Sequence, residues 1–307
     1  MAKPLVPSAL EKGDIIGIVA PAGRVVEQAR FEKGIRILRE MGFEPVFPRE
    51  LWPGPGYLAD TDVNRAGELM RMVASPEVKA VMAARGGYGC LRTLAHLDFS
   101  QFRKNPKPVI GFSDLTILLN QIFAQANLLC FHGPVVTSLP DCTNTALERL
   151  YYSLTGNFRK GLQVGDVEIV RGGDEVRGIL VGGNLSSLMA MIGTPYDPSW
   201  KEAILFIEDI NEPLYKIDRM LTQLALSGKL EGVRGLLIGD FGMDEKFDTI
   251  SKLRYTEAIW TRVLELTSNT PFPVWGNCPI GHFNNNLTLP LGLPTIMDSN
   301  AATLSFY

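Results

Sequence analysis

The chain has 307 residues, of which 46% are hydrophobic and 21% are charged, and its formal net charge at pH 7 is −3. This length and apolar content favour two packed domains over one. The acidic balance argues against a nucleic-acid-binding protein, and the lack of an apolar run of roughly 18 residues argues against a membrane-spanning helix.

The first half of the chain alternates predicted strands with predicted helices. Apolar strands are predicted at 14–20, 79–84 and 108–112, and helices at 27–41, at 62–73 and after residue 113. In the first helix Phe31, Ile35 and Leu38 recur at helical spacing. Alternation of this kind predicts an α/β domain whose parallel sheet is covered on both faces.

The second half has a different pattern, which predicts a β-hairpin at 167–183, a strong strand at 203–209 and two β-like segments near the C-terminus, 287–292 and 302–307. Helices are predicted at 184–192, 214–228 and 255–267. We therefore expect an N-terminal α/β domain over 1–145, a linker over 146–165 and a β-rich C-terminal domain over 166–307.

The N-terminal residues and the cysteines indicate the cellular compartment of the protein. Pro4, Pro7, Glu11 and Asp14 interrupt the early residues, so the pattern of a signal peptide is not met. The four cysteines are scattered without a CxxC pair, which predicts free thiols in a reducing compartment. We expect a cytoplasmic protein.

The chain has only three histidines, which limits the kinds of catalytic site that it can form: His96, His132 and His282. They lack the short spacing of a zinc hydrolase such as HExxH, so no catalytic metal and no cofactor are expected. A nucleophile that is activated by one histidine, which a third group orients, needs only one of the three. His96 lies in a predicted helix and is interpreted as structural.

Ser113, in GFSDLT, lies where a predicted apolar strand passes into a predicted helix. Such a corner exposes a nucleophile beside backbone N–H groups, although a serine there can also be a simple helix N-cap. The RGGYG turn at 85–89 also follows a strand, and its glycines suit an oxyanion hole, with one amide from Gly86 or Gly87 and another from Asp114. An ordinary strand–helix turn and a phosphate loop are the alternatives. Cys90 is a weaker candidate nucleophile.

Glu208 ends the predicted strand AILFIED, a position from which a carboxylate can orient a histidine. Asp209 and Glu212 are nearby alternatives. His282 lies in the polar loop PIGHFNNN, where a surface role is also common, and His132, in FHGPV, is placed to shape a pocket.

Together these segments resemble the LD-carboxypeptidases, peptidase family S66, over nearly the whole chain. The resemblance rests on segments that occur in the family's order: VAPAG (19–23), ARGGYG (84–89), GFSDLT (111–116), FHGPV (131–135), GGNL (182–185), IGTP (192–195), LFIEDINEP (205–213), IDRML (217–221), GH (281–282) and TLPLG (288–292).

The resemblance implies a Ser–His–Glu triad of Ser113, His282 and Glu208, with oxyanion donors at Gly87 and Asp114. It implies a flavodoxin-like, class I amidotransferase-like N-terminal domain that carries the serine. A β-rich swivelling C-terminal domain would carry His282 and Glu208, so that the active site forms in the cleft between the domains. Relatives of this family are commonly homodimers.

The family substrate is a murein tetrapeptide with a terminal D-alanine, recycled in the cytoplasm. Arg85 is a candidate for its carboxylate by position, with Gly86 and His132 as further substrate-binding candidates. Two alternatives stay open: a microcin C immunity-type peptidase that cleaves a peptidyl or acyl nucleotide, and a two-domain protein that binds a peptide without cutting it.

Overall fold

The computed structural model describes residues 3–48, 56–159, 162–163, 167–243, 247–270 and 272–307. Its strands are β1 (Ile15–Val19), β2 (Glu44–Val46), β3 (Val78–Ala83), β4 (Val109–Gly111), β5 (Cys130–His132), β6 (Leu162–Gln163), β7 (Glu168–Arg171), β8 (Val176–Asn184), β9 (Ala203–Glu208), β10 (Gly235–Ile238), β11 (Val274–Gly276), β12 (Leu289–Leu291), β13 (Pro294–Asp298) and β14 (Thr303–Phe306). Its α-helices are α1 (Gln28–Glu40), α2 (Asp62–Ala74), α3 (Cys90–Thr93), α4 (Phe99–Lys104), α5 (Leu115–Ala126), α6 (Asn144–Leu154), α7 (Leu185–Met189), α8 (Leu214–Leu226) and α9 (Thr249–Leu266). Short 3-10 helices cover Leu94–His96 and Val136–Asp141.

The chain divides into two compact units. The first comprises Met1–Phe158 together with Asn284–Gly292, and the second comprises Arg159–Phe283 together with Leu293–Tyr307. The segment Asn284–Gly292 therefore belongs to the first unit, a return of the chain that strand–helix alternation did not predict.

The first unit is built on a six-stranded sheet of order β12-β5-β4-β3-β1-β2. Five strands are parallel, and β12 is antiparallel to β5, with Leu289 opposite His132. Every residue of β4 and β5 is buried, as expected for strands that are covered on both faces. The predicted flavodoxin-like parallel sheet is confirmed.

The second unit contains an eight-stranded sheet of order β6-β14-β13-β8-β9-β10-β11-β7. Its central strands β8, β9, β10 and β11 are parallel, and antiparallel strands flank them on both sides. All six residues of β9 are buried, so its carboxyl end lies deep in this unit. The predicted β-rich second part is confirmed.

One local prediction is wrong. The segment 167–183 does form two strands, β7 and β8, but they do not pair as a hairpin. Instead β7 pairs with β11 at one edge, and β8 pairs with β9 and β13 near the middle of the sheet. The turn residues between them predicted a reversal of the chain, but burial of the apolar β8 between two neighbours decided its pairing.

Within the described ranges, no helix is both long and apolar enough to cross a membrane.

Candidate active site

Glu208 and His282 form the most direct polar contact among the predicted site residues. The Nδ1 atom of His282 lies 2.7 Å from Oε2 of Glu208. Glu208 is the last residue of β9 and its side chain is completely buried, whereas the imidazole is 12% exposed. Donation of the Nδ1 proton to the carboxylate places the lone pair of a neutral imidazole on Nε2, the atom that can accept a proton from a nucleophile.

Two glycines allow the His282 loop to lie against the end of β9. A Cβ at Gly239 would meet the carbonyl oxygen of Ile280 at 2.3 Å, and a Cβ at Gly281 would lie 3.3 Å from Cβ of Glu208. Gly281 also has φ +133°, a conformation that other residues rarely adopt. The backbone N–H of Asp240 donates to Ile280 at 2.8 Å and fastens this loop to the end of β10.

Three acidic residues of the second unit act on the imidazole. Burial lowers the pKa of His282, but the hydrogen bond and charge of Glu208, with the charges of Asp209 and Asp240, outweigh burial and raise the pKa above its ordinary value. Burial raises the pKa of the Glu208 carboxyl, and the His282 ring opposes that rise.

The neighbouring acids have other partners. The carboxylate of Asp209 accepts hydrogen bonds from Asn184 Nδ2 at 3.0 Å, from the backbone N–H and hydroxyl of Ser186 at 2.9 and 2.7 Å, and from the N–H of Ile210 at 2.9 Å. Glu212 pairs with Lys216 at 3.0 Å. The structure therefore joins Glu208, rather than these two alternatives, to the histidine.

Ser113 lies in the tight corner between β4 and α5. It has φ +62°, a left-handed conformation that is costly for a residue with a side chain. The N-cap residue of α5 is Asp114 rather than Ser113, and the Asp114 side chain makes no capping hydrogen bond. The carboxylate of Asp114 instead accepts the N–H of Cys90 at 2.8 Å.

The RGGYG turn packs directly against this corner. A Cβ at Gly86 would lie 2.8 Å from Cβ and 3.0 Å from Oγ of Ser113, so only glycine lets the two turns approach so closely. Gly87 is exposed and has φ +118°. The guanidinium of Arg85 donates from Nη1 to the carbonyl oxygen of Arg24 at 2.9 Å. The structure thus brings Ser113, Asp114, Gly86 and the turn around Gly87 together within the first unit.

The remaining candidates lie deeper or elsewhere. His132 is completely buried at the end of β5, and its ring meets Phe112 edge-on at 6.2 Å, directly behind the Ser113 corner. Cys90 is also completely buried, and burial raises the pKa of its thiol, which works against a nucleophilic role. His96 is exposed, in the 3-10 helix after α3.

Sequence reasoning missed Asp240, which follows β10 and adds its charge to those facing His282. The same argument that selected Glu208, a carboxylate at the end of an apolar strand, would have selected the Asp in LLIGD. It also missed Arg24, Tyr57 and Tyr88, which line a cavity beside the RGGYG turn.

Comparison with known proteins places the chain in a family. Residues 16–133 match the model of the LD-carboxypeptidase N-terminal domain, and residues 177–297 match that of the LD-carboxypeptidase C-terminal domain. A Bacillus subtilis protein named "Probable murein peptide carboxypeptidase" is 35% identical over 97% of this chain and 92% of its own length. The murein tetrapeptide carboxypeptidase of Pseudomonas aeruginosa is 29% identical over 93% of each.

Two further similar proteins are named for microcin self-immunity. The microcin C7 self-immunity protein of Escherichia coli is 28% identical over 98% of this chain and 95% of its own length. The crystal structure of an MccF-like protein from Bacillus anthracis has a TM-score of 0.88 at 24% identity, over 98% of this chain and 99% of that one, and so shares the fold. With both family models matched in order and relatives aligned along almost its full length, the chain belongs to the LD-carboxypeptidases, peptidase family S66.

Proposed function

We propose that this protein is a serine LD-carboxypeptidase that releases the terminal D-alanine of a murein tetrapeptide. The observation that carries the proposal is the 2.7 Å bond between buried Glu208 and His282, which holds the imidazole in the tautomer of a general base. Relatives named murein carboxypeptidases, and membership of a peptidase family, support the substrate.

In the proposed mechanism Ser113, Glu208 and His282 act as one triad. His282 Nε2 takes the hydroxyl proton of Ser113 as Oγ attacks the carbonyl that joins the L-centre to the terminal D-residue. The tetrahedral intermediate then collapses, the C–N bond breaks, and His282 returns the proton to the departing amine. Water, activated by the same histidine, hydrolyses the acyl-enzyme and restores the Ser113 hydroxyl.

The developing oxyanion is assigned to the backbone N–H groups of Gly87 and Asp114. Three features support this assignment: the left-handed backbone of Ser113, the positive φ of Gly87, and the packing of Gly86 on the serine. Loss of one donor of this kind costs about 10²–10³ in rate.

The test compares the wild-type protein with Ser113→Ala on a purified murein tetrapeptide, with chromatographic detection of D-alanine. We expect release by the wild type, none by the variant, and labelling of the wild type alone by a serine-reactive phosphonate. Release of D-alanine by folded Ser113→Ala would reject the serine mechanism.

A microcin-type peptidase that cleaves a peptidyl or acyl nucleotide is a second candidate, because the immunity protein of Escherichia coli aligns along almost all of this chain. The same triad would serve both reactions. Measuring kcat/KM on a tetrapeptide and on an aminoacyl sulfamoyl adenosine, side by side, separates them: a higher value for the nucleotide would replace the murein assignment.

A further inference from the structure

A cavity of about 620 Å³ lies in the first unit, beside the RGGYG turn. Three loops contribute to its wall: the one after β1, the one that leads into α2, and the one after β3. Among the residues that line it are Gly23, Arg24, Tyr57, Arg85, Gly87 and Tyr88.

Hydrogen bonds tie these loops to one another. The N–H of Arg24 donates to the carbonyl oxygen of Tyr57 at 3.1 Å, and the N–H of Gly23 donates to that of Gly86 at 3.2 Å. The Nη1 atom of Arg85 adds a third hydrogen bond, of 2.9 Å, to the Arg24 carbonyl oxygen. These three bonds form the frame of the cavity. The arginine side chain is thereby held at the wall of the cavity rather than left to move in solvent.

Close backbone approach shapes the same frame. A Cβ at Gly87 would lie 3.2 Å from Cα of Gly23, and a Cβ at Gly23 would lie 3.0 Å from the oxygen of Gly86. Both glycines therefore let the two loops approach more closely than ordinary side chains would allow.

The charged residues among the described lining of the cavity are both basic. Two arginines supply permanent positive charge and planar N–H donors, and none of the described residues that line the cavity is Asp or Glu. The nearby carboxylate of Asp62 is engaged by Arg65 and Arg92. Such a wall favours an anion, and a carboxylate matches the guanidinium fork.

Two tyrosines contribute to the apolar part of the wall. Tyr57 is 62% exposed and Tyr88 is 53% exposed, with ring centroids 5.9 Å apart and planes inclined by 55°. Exposed aromatic faces of this kind suit contact with a small apolar substituent.

The position of the cavity relates it to the reaction. Gly87 lines the cavity and carries the proposed oxyanion amide, and the adjacent Gly86 packs on Ser113. Because consecutive Cα atoms are about 3.8 Å apart, a carboxylate one residue beyond the scissile carbonyl remains beside this turn.

We infer that this cavity binds the free carboxylate of the leaving D-residue, with Arg85 and Arg24 as its cations and Tyr57 and Tyr88 against its side chain. The inference rests on the proposed function and deepens it, because it makes the enzyme an exopeptidase by charge recognition. A substrate whose terminal carboxylate is blocked as an amide loses the group that the cavity selects.

The experiment measures binding rather than turnover. In the full-length Ser113→Ala protein, isothermal titration calorimetry compares a murein tetrapeptide with a free C-terminus against the same peptide as its C-terminal carboxamide. We expect the free acid to bind about 10- to 100-fold more tightly, the range for hydrogen bonds to a charged group. Adding Arg85→Ala should bring the ratio close to one.

Two variants serve as controls. Arg24→Ala removes the second guanidinium but keeps the backbone carbonyl that Arg85 bonds, so the frame of the cavity stays in place and the ratio falls in part. Arg36→Ala removes an exposed arginine of α1 that does not line the cavity, and it should leave the ratio unchanged. Thermal melting verifies that each variant is folded.

Equal binding of acid and amide, absence of binding by either, or a preference that survives both Arg85→Ala and Arg24→Ala would overturn the inference. D-Alanine release by the wild type is measured separately. Release of D-alanine from the acid peptide and of D-alaninamide from the amide peptide at equal rates keeps the peptidase and rejects the cavity assignment. An acid preference that depends on Arg85, without any release, keeps the cavity assignment and rejects the peptidase.

Discussion

Glu208 Oε2 and His282 Nδ1 lie 2.7 Å apart, although 74 residues separate them in the chain. The carboxylate is completely buried at the end of β9, and a loop with close glycine contacts brings the imidazole to it. Burial of an unpaired carboxylate is costly, so each partner stabilises the other in this position.

Glu208→Gln is expected to reduce kcat by about 10²–10⁴-fold, because an amide neither stabilises the imidazolium nor enforces one tautomer. The shape of the side chain is preserved, so the variant should remain folded. Steady-state D-alanine release, together with thermal melting, checks this expectation. Glu212→Gln makes the same chemical change at an acid that pairs with Lys216, and it should stay near wild-type activity. If Glu212→Gln were the more damaging change, the orienting acid would have to be reassigned.

The acidic limb of kcat/KM against pH should lie above 6.5, the ordinary pKa of histidine. A general base works in its neutral form, so activity is lost as the pH falls through the raised pKa of His282. Asp240→Asn removes one of the charges that raise this pKa, and should move the limb to lower pH. A pH profile from 5 to about 9 on both proteins measures the shift. An unmoved limb in Asp240→Asn would show that this charge does not act on the base.

Gly86→Ala is expected to lower kcat by about 10²-fold, because a methyl group would lie 2.8 Å from Cβ of Ser113 and push the nucleophile aside. The φ of Gly86 is not positive, so the backbone itself accepts alanine. Gly67→Ala is the matched control: its methyl group would meet only the end of the flexible Arg71 side chain, at 3.5 Å. The test is to measure kcat for both variants. Similar values for the two would contradict the role of Gly86.

Ser113→Gly should be more stable to unfolding than Ser113→Ala by about 0.5–1 kcal/mol, because glycine adopts φ +62° without steric cost. Both variants lack the hydroxyl and should be inactive, so the difference reports the cost of a Cβ at this backbone conformation. Denaturant unfolding of the two proteins gives the comparison. A more stable Ser113→Ala would mean that the corner is not strained.

Much of the candidate site was predictable from local patterns. The apolar run before Ser113 and the helical spacing after it identify a strand–helix corner, and the structure has β4 ending at Gly111 and α5 beginning at Leu115. The apolar run AILFI likewise identifies β9, which places Glu208 at its carboxyl end. These features depend on periodicity and residue type, both of which are visible in a short stretch of the sequence.

Residue patterns alone did not decide which segments pair. The periodicity of 167–183 indicates strands but not their partners, and β7 and β8 separate to different neighbours in the sheet. The β12 segment returns to the first unit, where it pairs with β5. Pairing over such distances depends on which buried faces match, information that a local window does not contain.

From the amino-acid sequence alone came the two-part α/β organisation, the serine corner and a short set of acids and histidines that could serve it. The sequence favoured Glu208 and kept Asp209 as an alternative, and only the tertiary structure showed which of these adjacent carboxylates contacts the histidine. The Glu208 carboxylate meets His282, whereas the Asp209 carboxylate holds Asn184 and Ser186 at the start of α7. Both sets of partners come from segments that are distant in the chain, so a local pattern does not contain them.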